Sequence, residues 1–160
     1  MMRRSAAVAI FVGGGVAATL DIAYALTFWF FHSGVAPVAV LQTIAGGLLG
    51  LPAARAGGLP TALLGLALHY FMAMCMATAF FLVSRRFRLL LRQPVAAGVL
   101  YGALLYGIMN FIVLPLSALP AHVWKPTLPA LTDLCSHLFF VGVPIALATR
   151  WFGASRKAGG

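Results

Sequence analysis

Ser84-Arg85-Arg86-Phe87-Arg88-Leu89-Leu90-Leu91-Arg92 sets four arginines between two long apolar runs. The whole chain has only eleven Lys and Arg, so this cluster dominates any question of sidedness. Basic residues collect on the cytoplasmic side of membrane proteins. The cluster therefore predicts that the link between the two runs lies inside.

Working outward, four runs are long enough to cross a bilayer, roughly Ala6–Phe31, Leu59–Val83, Pro94–Ser117 and Ala130–Trp151. A fifth, Val35–Leu51, is at the short limit for a span and contains Gln42, Thr43, Gly46, Gly47 and Gly50. Charge decides its role. With four crossings and an inside N-terminus, Arg3, Arg4, Arg85, Arg86, Arg88, Arg92, Arg150, Arg156 and Lys157 are cytoplasmic, and only Arg55 and Lys125 are outside. A fifth crossing would move the arginine cluster outside, against the positive-inside rule. The expected fold is an all-α integral membrane protein. It is a single domain over 1–160, a four-transmembrane-helix bundle with a short re-entrant or interfacial segment at 35–51, between helices 1 and 2. Backbone that re-enters a membrane needs protein or water around it rather than lipid.

Composition agrees. The chain is 62% hydrophobic and 8% charged, with mean hydropathy +1.02, too apolar to cover a water-exposed surface. The net charge of +9 would suggest nucleic acid in a soluble domain. Here the charges flank apolar runs, where they suit anionic headgroups instead. The expected partners are the lipid bilayer and either further copies of the chain or a larger membrane complex, with no nucleic acid. Cys75 and Cys135 lie inside apolar runs and form neither a disulfide framework nor a zinc spacing. The opening Met1-Met2-Arg3-Arg4 and the later Ala23-Tyr24-Ala25 resemble a signal peptide. The run continues through Phe31, however, which reads as an uncleaved first helix. Trp29 and Trp124 fall at the outer boundary and Trp151 at the inner one, as interfacial anchors do.

Small residues mark helix contacts. Gly98 and Gly102 form G-x-x-x-G, and Gly14 with Ala18 is a similar pair. Pro115 and Pro144 lie within helices and free the carbonyls of Phe111 and Phe140, as tolerated kinks or as gating hinges. Leu66-Ala67-Leu68-His69-Tyr70-Phe71 and Leu134-Cys135-Ser136-His137-Leu138-Phe139 share L-x-x-H-x-F, a weak sign of a duplicated hairpin.

The chain has two acidic residues, Asp21 and Asp133, both in apolar runs. A charged group deep in a membrane helix costs about 2.5–3.5 kcal/mol on insertion scales and marks a functional candidate. At ~1.5 Å per residue, Asp21, His69, Asn110 and His137 all fall about 10–15 Å below the outer boundary. The four helices thus offer one polar side chain each at one level, as a working site or as structural glue. Asp133 and His137 are i,i+4 neighbours that could pass a proton. Alternatively, Asp133 simply answers the helix dipole. Gly98, Gly102, Tyr106 and Asn110 form an i+4 row. Tyr106, Gln42, His32 and His122 are secondary candidates.

His69, Met72 and Met76 share a face whose soft donors could hold Cu(I), though methionine more often fills gaps. No resident cofactor is expected. The alternative is b-type haem between His69 and His137, with His32 and His122 as a second pair. H-E-x-x-H, G-x-S-x-G and P-loop motifs are absent, so no catalytic residues are assigned.

Met109-Asn110-Phe111-Ile112-Val113-Leu114-Pro115-Leu116-Ser117, then Thr132-Asp133-Leu134 with His137, and a last helix ending in Arg150, resemble small bacterial inner-membrane proteins of the YagU-like type. The resemblance covers mainly the second half. It implies a bacterial inner-membrane location, and it brings no reaction and no catalytic residues. The functional expectation is transport or ion/proton handling at the polar level. The alternatives are a haem or metal redox protein and an accessory subunit of a larger complex. The charge map predicts that fluorescent-protein fusions at either terminus fold and fluoresce in the cytoplasm, whereas alkaline phosphatase fused after Lys125 is active in the periplasm. The opposite pattern would invert the topology.

Overall fold

The computed structural model describes residues 5–120 and 124–153, and His122 lies outside these. The described residues are helical throughout, joined by short turns, with no strand. Helix α1 spans Ala6–Ser33, α2 Pro37–Leu49, α3 Leu51–Ala56, α4 Gly58–Arg86 and α5 Leu89–Arg92. Two further helices, α6 over Pro94–Leu116 and α7 over Leu128–Gly153, complete the fold. Among the described residues, α1, α4, α6 and α7 are the four helices long and apolar enough to cross a membrane. Each overlaps its expected run, with ends displaced by up to three residues because caps and first-turn prolines extend the apolar stretch.

Local chemistry sets those ends. Ser5 caps α1 by accepting from the Val8 amide at 3.1 Å. Gly34 stops the helix in the left-handed region at φ 65°, its amide bonded to the Phe30 carbonyl. Pro37, Pro94 and Pro129 sit in the first turns of α2, α6 and α7, where a missing N–H costs nothing.

The helices alternate in direction. Gly13, early in α1, lies against Ile145 and Ala148, late in α7. Gly98, early in α6, meets Gly142 and Val143, and Gly102 meets His137 and Leu138. The ends of α1 and α6 and the starts of α4 and α7 therefore share one end of the bundle. Both ends of α2 are at that same end. Pro37 follows α1 by four residues, and the Gly47 carbonyl accepts from the Ala118 amide just past α6. Between its ends α2 packs on α4, where Gly65 lets the Leu41 carbonyl approach. Gln42 donates to the Gly58 carbonyl at 2.9 Å, and Arg55 of α3 donates to the Thr43 hydroxyl at 3.2 Å.

The interior is built from small residues and the exterior from large ones. Ala17, Ala77, Ala97 and Ala146 are buried beside Phe80, Leu105 and Ile145. Leu100, Leu116 and Phe11 point outward, with Leu100 72% exposed. Water would penalise such a surface. In lipid, helices gain nothing by hiding leucine from a solvent that is equally apolar, and close backbone contact decides the packing.

Helices α6 and α7 meet backbone to backbone. A Cβ at Gly98 would meet Val143 Cα at 2.6 Å, and one at Gly102 would meet Leu138 Cα at 2.7 Å. The interior prolines of these helices, Pro115 and Pro144, each follow a wider turn that the chain's pattern did not announce. Met109–Val113 and His137–Gly142 are π-helical, with the Leu114 amide bonded to Met109 and the Val143 amide to Leu138. The extra residue in each turn absorbs the steric and hydrogen-bond mismatch that Pro115 and Pro144 would otherwise impose.

Overpacking this contact is expected to cost about 1–3 kcal/mol. Gly102→Val and Gly142→Val should therefore lower the thermal unfolding midpoint in detergent. Gly107→Ala, where an added Cβ meets nothing within 4 Å, should leave it unchanged. Equal effects would show that α6 and α7 do not meet through these glycines.

Candidate functional site: a carboxylate between three helices

Asp21 lies on α1 among apolar neighbours, and two other helices supply its polar surroundings. The Ser136 hydroxyl of α7 donates to Oδ1 at 2.6 Å. Ser136 is 2% exposed and aims inward because its helix is drawn onto α6 at Gly142. From α4, His69 brings Nε2 to 4.0 Å from Oδ2. The same nitrogen is 2.9 Å from the Ala18 carbonyl. A carbonyl oxygen only accepts, so Nε2 carries a hydrogen. Asp21 and His69 retain 17% and 16% side-chain exposure, so the group is enclosed without being sealed.

A second polar group lies on α7 and α6. His137 holds Nδ1 3.0 Å from the Asp133 carbonyl and 3.5 Å from Asp133 Oδ1. Both partners accept, so Nδ1 again carries the hydrogen. The His137 ring packs edge-on against Tyr106, centroids 5.6 Å apart. The Tyr106 hydroxyl donates to the Ala130 carbonyl at 3.0 Å and accepts from the Trp124 indole at 2.8 Å. Trp124 is thus tied back into the bundle by a hydrogen bond.

The expected single level is accordingly divided. Asp21 and His69 meet, and their third partner is Ser136, the neighbour of His137. Asn110 is buried, but its amide donates to the Tyr106 carbonyl of its own helix at 3.0 Å. The whole row Gly98, Gly102, Tyr106 and Asn110 is buried, as its i+4 spacing implies. Gln42 ties α2 to α4, and His32 stacks on Phe28 at the exposed end of α1, centroids 4.9 Å apart. The matched histidines of the L-x-x-H-x-F pair have unlike surroundings, one bonded to another helix and one to its own. Among the described residues, no group of three or more His, Cys, Asp or Glu side chains could hold a metal ion.

Three neighbours of the site escaped the sequence reading. Tyr24 is one turn beyond Asp21 on α1, and its hydroxyl is buried with no hydrogen-bond partner among the described residues. Thr19 and Tyr70 share a 2.8 Å hydrogen bond between α1 and α4. The i+3 spacing of Asp21 and Tyr24 was the available signal. Thr19 and Tyr70 carry none in a helix that is apolar on every side.

Comparison with protein-family models, curated proteins and solved structures finds no match for the chain.

Removing the Ser136 hydroxyl leaves Asp21 Oδ1 without that donor, a loss of about 1–3 kcal/mol for an acceptor largely shielded from solvent. Ser136→Ala should therefore destabilise the protein, and should do so less in an Asp21→Leu background. A double-mutant cycle on thermal unfolding in detergent should read a coupling of about 0.5–3 kcal/mol. Additive costs would mean that the hydroxyl and the carboxylate do not interact.

Proposed function

We propose that this chain is a small multi-pass protein of the bacterial inner membrane that moves protons or small ions, with Asp21 as the group that changes charge. In this reading both termini are cytoplasmic, and α2 with α3 forms a re-entrant or interfacial cover on the outer face. The observation that carries the proposal is the meeting of Asp21, Ser136 and His69 from three helices. A carboxylate is expensive in this setting, and a purely structural contact between helices could be made by neutral groups alone.

The chemistry follows from the donors. Ser136 fixes one carboxylate oxygen and leaves the other facing His69. Protonating Asp21 would remove a negative charge beside the imidazole and weaken its hold on a cation. Deprotonating it would restore both. The unpartnered Tyr24 hydroxyl offers a further donor one turn outward. The two ends of α2 beside the outer ends of α1 and α6 suit a cover over the approach.

Asp21→Asn preserves size and hydrogen bonding but fixes the charge at zero. In proteoliposomes loaded with a pH-sensitive dye, it is expected to reduce proton flux at least tenfold while leaving the unfolding midpoint near that of the wild type. Sodium and potassium gradients, tested in the same vesicles, identify the ion. A wild type with no flux of any of these ions, or an Asp21→Asn variant with undiminished flux, would overturn the reading.

A further inference from the structure

At the opposite end of the bundle from α2, three arginines line one cavity. It has a volume of about 790 Å³ and is bounded by the first turn of α1, the last turns of α4, α5 and the end of α7. Arg85, Arg88 and Arg92 line it together with Phe81, Leu89 and Leu91. Arg85 belongs to the last turn of α4, while Arg88 immediately precedes α5 and Arg92 ends it. Their 3- and 4-residue spacings would place them on one face of a continuous helix. The bend at Phe87, with φ −117° and ψ 81°, folds that face into a concave wall. Arg86, in the middle of the same cluster, is not part of the wall. Its guanidinium instead lies over the Phe87 ring, 5.9 Å from the centroid.

Sidedness alone does not require this arrangement. The positive-inside rule counts charges near a membrane face and is indifferent to where each one points. Three guanidinium groups around one cavity repel one another, and the chain has almost nothing to balance them. Its only two carboxylate side chains are Asp21 and Asp133. Asp21 is occupied by Ser136 and His69, and Asp133 lies near the start of α7, at the far end of the bundle. Neither carboxylate side chain reaches the cavity, so its three exposed guanidinium groups leave a positive surface open to an anion.

We infer that this cavity binds a phosphate ester, with the phosphate held by Arg85, Arg88 and Arg92 and the organic part resting on Phe81, Leu89 and Leu91. Guanidinium groups bind phosphate oxygens through paired hydrogen bonds, whereas an ammonium acts as a point charge. The apolar wall beside the arginines fits an amphiphilic ester better than a bare inorganic anion. Both an anionic phospholipid headgroup and a soluble phosphate ester have this chemistry. The inference is independent of ion movement at Asp21, which is at another level of the bundle.

Native mass spectrometry of the full-length protein in a non-ionic detergent tests it. The wild type, incubated with phosphatidylglycerol or phosphatidylcholine, is expected to retain the anionic lipid selectively. Arg85→Gln, Arg88→Gln and Arg92→Gln should each weaken retention roughly tenfold. Arg86→Gln removes the same charge at the same depth and should change it little. Arg88→Lys should bind more weakly than the wild type despite its equal charge. Competition with glycerol 3-phosphate separates the sources, since displacement identifies a soluble ester and persistence a lipid headgroup. Thermal unfolding of each variant checks its fold, and the wild-type selectivity stands as a test if a variant fails to fold. No preference for phosphatidylglycerol together with no binding of glycerol 3-phosphate would overturn the inference. So would an Arg86→Gln variant as weak as the other three.

Discussion

The close approach of α6 and α7 at Gly98, Gly102 and Gly142 is the contact on which the rest of the bundle depends. Backbone meets backbone there, so no other residue type can be accommodated without separating the helices. That proximity holds α7 in place along α1, with Ser136 turned toward Asp21. It also sets His137 against Tyr106, whose hydroxyl anchors both Ala130 and Trp124. Packing energy and site geometry thus share an origin. In lipid, where burying leucine yields no advantage, small residues supply the attraction by letting many weak contacts form at short range.

The two π-helical turns that precede Pro115 and Pro144 add a second constraint. Each lies just before a proline and inserts one residue into its helix. One residue corresponds to about 100° of rotation in a 3.6-residue helix, so side chains on either side of the turn belong to different faces. In α7 the turn begins at His137, directly after Ser136. The part of the helix before the turn can therefore present Ser136 to α1 while the end of the turn presents Gly142 to α6. Pro115 and Pro144 were visible in the sequence as interruptions, but the form of the interruption depends on the neighbouring helix and not on the proline alone.

The polar groups show where legibility ended. Asp21 stood out because a carboxylate in an apolar run is costly, and His69 because it fell at the same depth. Both are in the group that the helices assemble. Ser136 did not stand out, because a serine is inexpensive in a membrane helix and common at contacts. Asn110 had the right depth but a different partner, its own helix. Depth follows from counting residues along an axis. Direction around the axis does not, and direction separates Asn110 from Asp21.

What could be read directly from the chain was therefore axial. The number of helices long enough to span came from run length, and their expected alternation from the arginines around Phe87. The rotation of each helix was decided by tertiary packing. A helix in water shows its inward face as an apolar stripe, but these helices are apolar on all sides, since lipid accepts what the interior also accepts. Glycine contacts and π turns set the rotation instead. They are why Asp21 meets Ser136 and His69, whereas the bend at Phe87 is why three of the four clustered arginines share one cavity.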